Sequence, residues 1–143
     1  MSADRVALAR IASEPITVDD CESAVDSPAH GAVVTFAGVV RDHDEGRGVL
    51  RLGYEAHPEA QEALAASARR IAERFPDVRL AAVHRGGDLV VGDLALACAV
   101  ASAHRAAAFE ACAALVDDIK ATVPIWKEQS FVDGTSEWVA SLG

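Results

Sequence analysis

The chain has 143 residues, 51% of them hydrophobic and 24% charged, a composition that predicts an ordinary globular protein with one domain over 1–143 and a sizeable core. Its 22 acidic and 13 basic side chains give a formal charge of −9, which argues against a nucleic-acid surface but leaves room for a small anion held by a few converging cations. No run of ~18 apolar residues could span a bilayer, and Asp4, Arg5 and Arg10 interrupt the N-terminus where a signal peptide would be apolar, so a cytoplasmic location is expected.

Residues 5–12 are predicted as a first strand. Thr17 then reads as the N-cap of a short helix, TVDDCESAV, whose early acids suit the positive end of the helix dipole. Asp26-Ser27-Pro28 ends it. GAVVTFAGVVR (31–41) is β-branched and apolar, a strand with Gly38 as a bulge or a point of close approach. The polar DHDEGRG (42–48) predicts a mobile loop, and VLRLGYEA (49–56) alternates as a half-buried strand.

From Pro58 a helix runs to about Phe75, with Leu64, Ala68, Ile71 and Phe75 on one face and Glu62, Arg69, Arg70 and Glu73 on the other. VRLAAVHR (78–85) is a strand, followed by turns at Gly86-Gly87-Asp88 and Gly92-Asp93. The almost wholly apolar LALACAVAS (94–102) predicts a central strand. A second long helix then runs from about His104 to Val123, its core seam read as Phe109, Cys112, Val116, Ile119 and Val123, and Pro124 stops it. IWKEQSF and SEWVA close the chain as strands divided by Asp133-Gly134. The order β-α-β-β-α-β-β-α-β-β predicts an α+β fold: a mostly antiparallel sheet with two long helices packed on it, with room for a small β excursion.

The three cysteines include no Cys-x-x-Cys pair, and Cys98 and Cys112 read as buried structural thiols. The five histidines show no metal-ligand spacing, so no metal is expected. The segment from Ser102 to Lys127 is the chemically suggestive one. Ser102-Ala103-His104-Arg105 joins a buried strand to a helix N-terminus, where unpaired N–H groups and a guanidinium favour an anion; the bland alternative is a capping serine with two exposed polar neighbours. Lys120 and Lys127 both border apolar residues, a setting that can lower a lysine pKa for acid–base work. Each has a bland alternative too: an ion pair with Asp117 for Lys120, and for Lys127 an exposed strand cation with Glu128 nearby. Arg41 closes a strong strand, a usual place for a binding side chain, and could equally pair with Asp42 or Asp44. Arg85 is a weaker candidate of the same kind.

Arg105 and Lys120 lie fifteen positions apart on one helix, hence ~22 Å at ~1.5 Å per residue. Both cannot reach one small ligand from the same helix. Either one of them is structural or the site is shared between two chains, and a composite site across a two-fold dimer is the favoured resolution.

Five stretches together resemble the large, catalytic subunit of molybdopterin synthase: GAVVTFAGVVRDH (31–43), YEAHPEA (54–60), VHRGGDLVVGD (83–93), SAHRAAAFEA (102–111) and DDIKATVPIWKEQ (117–129), with a terminal W-V at 138–139. No one motif is specific; the combination, in family order over about residues 30–140, is. The resemblance implies an α/β-hammerhead-like fold. It implies a homodimer core of a heterotetramer, flanked by small ubiquitin-like carrier subunits whose C-terminal Gly-Gly tails carry sulfur as a thiocarboxylate. It implies transfer of two sulfurs to cyclic pyranopterin monophosphate, with no metal or separate organic cofactor.

By position, Arg41, His104, Arg105, Lys120 and Lys127 match that family's pocket, with Val39, Val40, Glu128 and Gln129 bordering it. The resemblance makes Lys120 and Lys127 the catalytic pair. Many relatives carry a polar or basic residue where Val39 stands here, which removes one peripheral contact. A non-catalytic scaffold of the same fold is disfavoured by the retained His104, Arg105, Lys120 and Lys127. An unrelated phosphate-ligand enzyme would want a metal cluster or an activated nucleophile that the sequence does not display.

Overall fold

A computed structural model describes residues 5–44 and 47–140. Two sheets organise it. The first runs β1 (Val6–Ala12), β5 (Arg79–Arg85), β7 (Leu94–Ser102) and β2 (Ala32–Val39) in that spatial order. β7 is central and buried along nearly its whole length, as its apolar run predicts. β2 and β5 flank it antiparallel, whereas β1 joins β5 in parallel. The second sheet runs β3 (His43–Asp44), β4 (Arg47–Ala56), β8 (Ile125–Phe131) and β9 (Ser136–Ala140), with β6 (Gly87–Val90) also paired to β4.

Two of these strands correct the sequence reading. The Gly86-Gly87-Asp88 turn is shorter than expected, because Gly87 adopts φ 98° and the chain re-enters β structure at once as β6. The 42–48 segment is not wholly loop: His43–Asp44 pairs with Arg47–Gly48. Residues 45 and 46, where mobility was expected, lie outside the described residues.

Three helices cover the first sheet. α1 (Val18–Val25) is capped as predicted, Asp20 N–H donating to Thr17 Oγ1 at 3.1 Å. It buries Cys21 and Val25 against Ala81, Val83, Ala97, Ala99 and Ala101 on one face of the sheet. The two long helices, α2 (Ala60–Arg74) and α3 (Arg105–Thr122), pack on the other face. Leu64, Ala68 and Ile71 form the buried stripe of α2, as their spacing demands. Ser67 of α2 donates to Asp118 of α3, and Arg70 adds an ion pair to the same carboxylate at 2.7 Å, tying the helices together at their polar edge.

The α3 seam differs from the predicted one. Ala108, Ala111, Cys112, Leu115 and Ile119 are buried, while Phe109 is 61% exposed. α3 is so rich in alanine that several faces satisfy helical periodicity, and the small side chains win because they let the helix sit close to the sheet. Phe109 instead borders an apolar groove with Val34 and Phe36 of the edge strand β2 and with Cys112 and Val116. All three cysteines are free and buried.

Candidate functional site

The site forms where the first sheet, the C-terminal end of α3 and the inner face of the second sheet meet. Gly38 sits at a register shift in the β2–β7 pairing, and a Cβ there would stand 3.0 Å from Phe36 Cε2. The extra residue of the shift is Ala95 on β7, so the alternation of β2 continues unbroken: Val39 is half exposed and Val40 buried, and Val40 N–H donates to the Asp93 carbonyl at 2.9 Å. Arg41 follows directly at the cavity rim.

Opposite, α3 ends at Thr122 and the chain reverses through Val123 and Pro124 into β8. This reversal brings Lys120, in the last turn of α3, and Lys127, on β8, to one space although seven positions separate them. Strand alternation does the rest: Ile125, Lys127 and Gln129 face inward, while Trp126 and Glu128 face away. In the β4–β8 register Lys127 stands opposite Tyr54 and Gln129 opposite Leu52, which supply part of the same wall.

The resulting cavity has a volume of about 360 Å³. Its apolar lining comes from Phe36, Val40, Leu52, Leu96 and Ile119, and its charge from Arg41, Lys120 and Lys127. Burial, then Lys127, then Arg41 hold the Lys120 ammonium below the ordinary lysine range. Gln129 is buried and donates its side-chain N–H to Glu137 Oε1 at 3.0 Å.

Of the residues expected at the site, the cavity thus gathers Val39, Val40, Arg41, Lys120, Lys127 and Gln129. Glu128 does not line it. Its place on β8 turns it to the opposite sheet face, in register with Trp138. His104 and Arg105 lie at the far end of α3, in a separate open depression of about 380 Å³ with Gly31, Ala32, Ala103 and Ala106. His104 is the N-cap residue of α3, extended at φ −127° and ψ 142°, and makes no side-chain capping bond. Gly31 permits the close approach of β2, since a Cβ there would meet the Ala103 carbonyl at 3.3 Å.

Sequence reasoning missed His84. It is buried in β5, lines the cavity, and its ring meets Tyr54 edge-on, with centroids 5.3 Å apart and planes at 75°. Burial, and secondarily the charge of Lys120, push its pKa down to about 4 against the opposing pull of the Arg85 carbonyl. The available signal was one histidine at the end of the apolar run LAAV (80–83).

With this geometry in view, comparison with known proteins settles the family. The model of the MoaE protein family matches residues 11–122, which include Arg41, His104, Arg105 and Lys120. The chain belongs to the MoaE family. It is similar to molybdopterin synthase catalytic subunit 1 of Mycobacterium tuberculosis, with 39% identity over 131 residues covering 91% of this chain and 88% of that one. Molybdopterin synthase from Staphylococcus aureus has the same fold, with a TM-score of 0.86 at 36% identity, covering 92% of this chain and 96% of the other. A more distant MoaE-like fold occurs in a complex of subunits 1 and 2 of molybdopterin-converting factor from Helicobacter pylori, TM-score 0.69 at 20% identity, covering 92% and 88% of the two chains.

Proposed function

We propose that this chain, as the catalytic subunit of a molybdopterin synthase in molybdenum cofactor biosynthesis, transfers two sulfurs to cyclic pyranopterin monophosphate. The sulfur comes from the thiocarboxylated C-terminus of a small ubiquitin-like carrier subunit, and the product is the molybdopterin dithiolene. The observation that carries the reading is the convergence of Arg41, Lys120 and Lys127 on one cavity of mixed polar and apolar lining. Such a space suits an anionic heterocycle, and a lysine held below its usual pKa suits proton transfer at sulfur attack.

In this reading Lys120 is the acid–base group, and Lys127 neutralises the oxyanion that develops as sulfur leaves the carrier's acyl carbon. Arg41, His104 and Arg105 hold the phosphate and pterin. No metal or separate organic cofactor takes part. Because His104 and Arg105 sit a helix length from Lys120, each site is built from the lysine end of α3 in one chain and the N-terminal end of α3 in a second copy. The apolar groove of Phe109, Val116, Val34 and Phe36 between those ends, beside the edge strand β2, supports a homodimer face there. The assembly is then a dimer core with one carrier subunit at each site, a heterotetramer.

The decisive test mixes the purified chain with a thiocarboxylated carrier and cyclic pyranopterin monophosphate. Molybdopterin formation is expected. Its absence, with a competent control enzyme active in parallel, overturns the assignment. A non-catalytic carrier-binding scaffold is the second reading, and the retained His104, Arg105, Lys120 and Lys127 favour the enzyme over it.

A further inference from the structure

One polar residue of the cavity wall has no task in the sulfur transfer. His84 Nδ1 stands 2.9 Å from the Arg85 carbonyl oxygen. A carbonyl can only accept, so Nδ1 carries the ring hydrogen and Nε2 keeps its lone pair. Tyr54, edge-on to the imidazole, fixes the plane of the ring, and burial in β5 fixes its position. With Nδ1 engaged on its own strand, Nε2 is the ring nitrogen left for the cavity that His84 lines.

The charged groups of that lining are of one kind. Arg41, Lys120 and Lys127 donate hydrogen bonds and cannot accept them. They can hold the anionic part of a ligand but cannot read an N–H group on it. Gln129, which directs an amide hydrogen to Glu137, and Tyr54 also carry side-chain oxygens in this lining. A neutral imidazole among cations therefore supplies what they lack, a fixed acceptor. Burial and the nearby Lys120 charge keep it neutral across the physiological range, its pKa being pushed down to about 4.

We propose that His84 is a specificity-determining residue whose Nε2 accepts a hydrogen bond from an N–H of the bound heterocycle, while the cations take up the phosphate. This inference rests on the pterin-phosphate reading of the cavity. It gives the site a means of rejecting phosphate-bearing ligands that have no matching donor. A site built to pair a ligand N–H loses much of its affinity when that pair is broken, because a buried polar group is left unmatched.

The test uses the complete enzyme with its carrier and compares wild type, His84→Phe and His84→Gln. Phenylalanine keeps the packing against Tyr54 and removes the acceptor; glutamine can place an oxygen near the Nε2 position. The KM for the cyclic pyranopterin is expected to rise about tenfold in His84→Phe with kcat changed by less than about twofold, and His84→Gln should recover most of the loss. The pH dependence of kcat should not move, since no proton is transferred at His84. If His84→Phe does not fold, His84→Met, which packs but accepts only weakly, takes its place. An unchanged KM in a folded variant, or equal damage from glutamine and phenylalanine, overturns the proposal while leaving the enzyme assignment intact. A wild-type protein that makes no product overturns both.

Discussion

The two ends of α3 bear the same kind of charge and use it differently. At the C-terminal end, Lys120 shares a walled cavity with Lys127 and Arg41, cations delivered by three separate elements. At the N-terminal end, His104 and Arg105 are neighbours in sequence and lie in an open depression. Enclosure is what separates them. In the cavity, low dielectric and mutual repulsion destabilise the Lys120 ammonium, and that is a condition for chemistry. In the open depression, water and salt screen the Arg105 guanidinium, a setting that fits the proposed holding of an anion better than the moving of a proton. On the proposed reading, one helix offers a reactive end and a gripping end.

The largest expected effect breaks this division directly. Lys120→Met should lower kcat by roughly 10³, within the range for loss of a general acid–base group, while its thermal midpoint stays at or above wild type because a partly buried charge has been removed. Arg105→Ala homodimers should also be nearly inactive. Mixing the two inactive variants under conditions of proven subunit exchange should restore about a quarter of wild-type activity, since half the dimers are mixed and each carries one intact site. Mixed dimers that stay inactive would mean that the two ends of α3 do not complete each other across chains.

The next effect is on pH dependence. If Lys120 works as a base, activity falls as pH drops through its pKa, which lies below the ordinary lysine value of 10.5 because of burial, Lys127 and Arg41. Removing a neighbouring cation relieves that repulsion and raises the pKa. Lys127→Met should therefore shift the limb of the kcat profile to higher pH, whereas Arg105→Ala, at the other end of the helix, should leave it in place. A limb that does not respond to Lys127→Met would place the proton transfer elsewhere.

The gripping end was easier to read in the sequence than the reactive end. Ser102-Ala103-His104-Arg105 announces itself because a strand-to-helix junction is local. Thr17 and the Leu64-Ala68-Ile71 stripe were legible for the same reason: capping and helical periodicity act within a turn or two. The cavity depends on chain reversal after Thr122, on the way β2 meets β7, and on pairing of β4 with β8, none of which follows from nearby residues. Strand alternation could have excluded Glu128 once Lys127 was taken as inward-facing. The parallel partnership of β1 with β5 is a long-range choice that composition does not encode. Phe109 was assigned to the core because α3 has no unique apolar stripe, and His84 was overlooked because one histidine in an apolar strand resembles packing more than recognition.

A smaller effect concerns the cost of keeping His84 neutral. Its folded pKa of about 4 lies below the ordinary value of 6.5, so between those values the unfolded chain binds a proton that the folded chain refuses. Stability from this source is complete above pH 6.5 and is lost as pH falls to about 4. The loss amounts to roughly 3 kcal/mol at ~1.4 kcal/mol per pKa unit. Denaturant titrations of wild type and His84→Gln across this window should diverge by that order as the variant's flatter profile emerges. Parallel profiles would show that His84 reaches water more freely than its burial in the cavity wall implies.

The smallest effect isolates both ends of α3 from the rest of the fold. α1 packs on the opposite face of the first sheet, against Ala81, Ala97 and Ala99, and touches neither the cavity nor the depression. Thr17→Ala removes the one side-chain hydrogen bond at its N-cap. This should cost about 1 kcal/mol of stability, seen as a lower denaturant midpoint with an unchanged slope. At temperatures well below the transition, kcat and KM should match wild type. If activity falls along with stability, the packed β-strands carry strain from α1 to the site, and the contrast between the two ends of α3 depends on the whole sheet rather than on local enclosure.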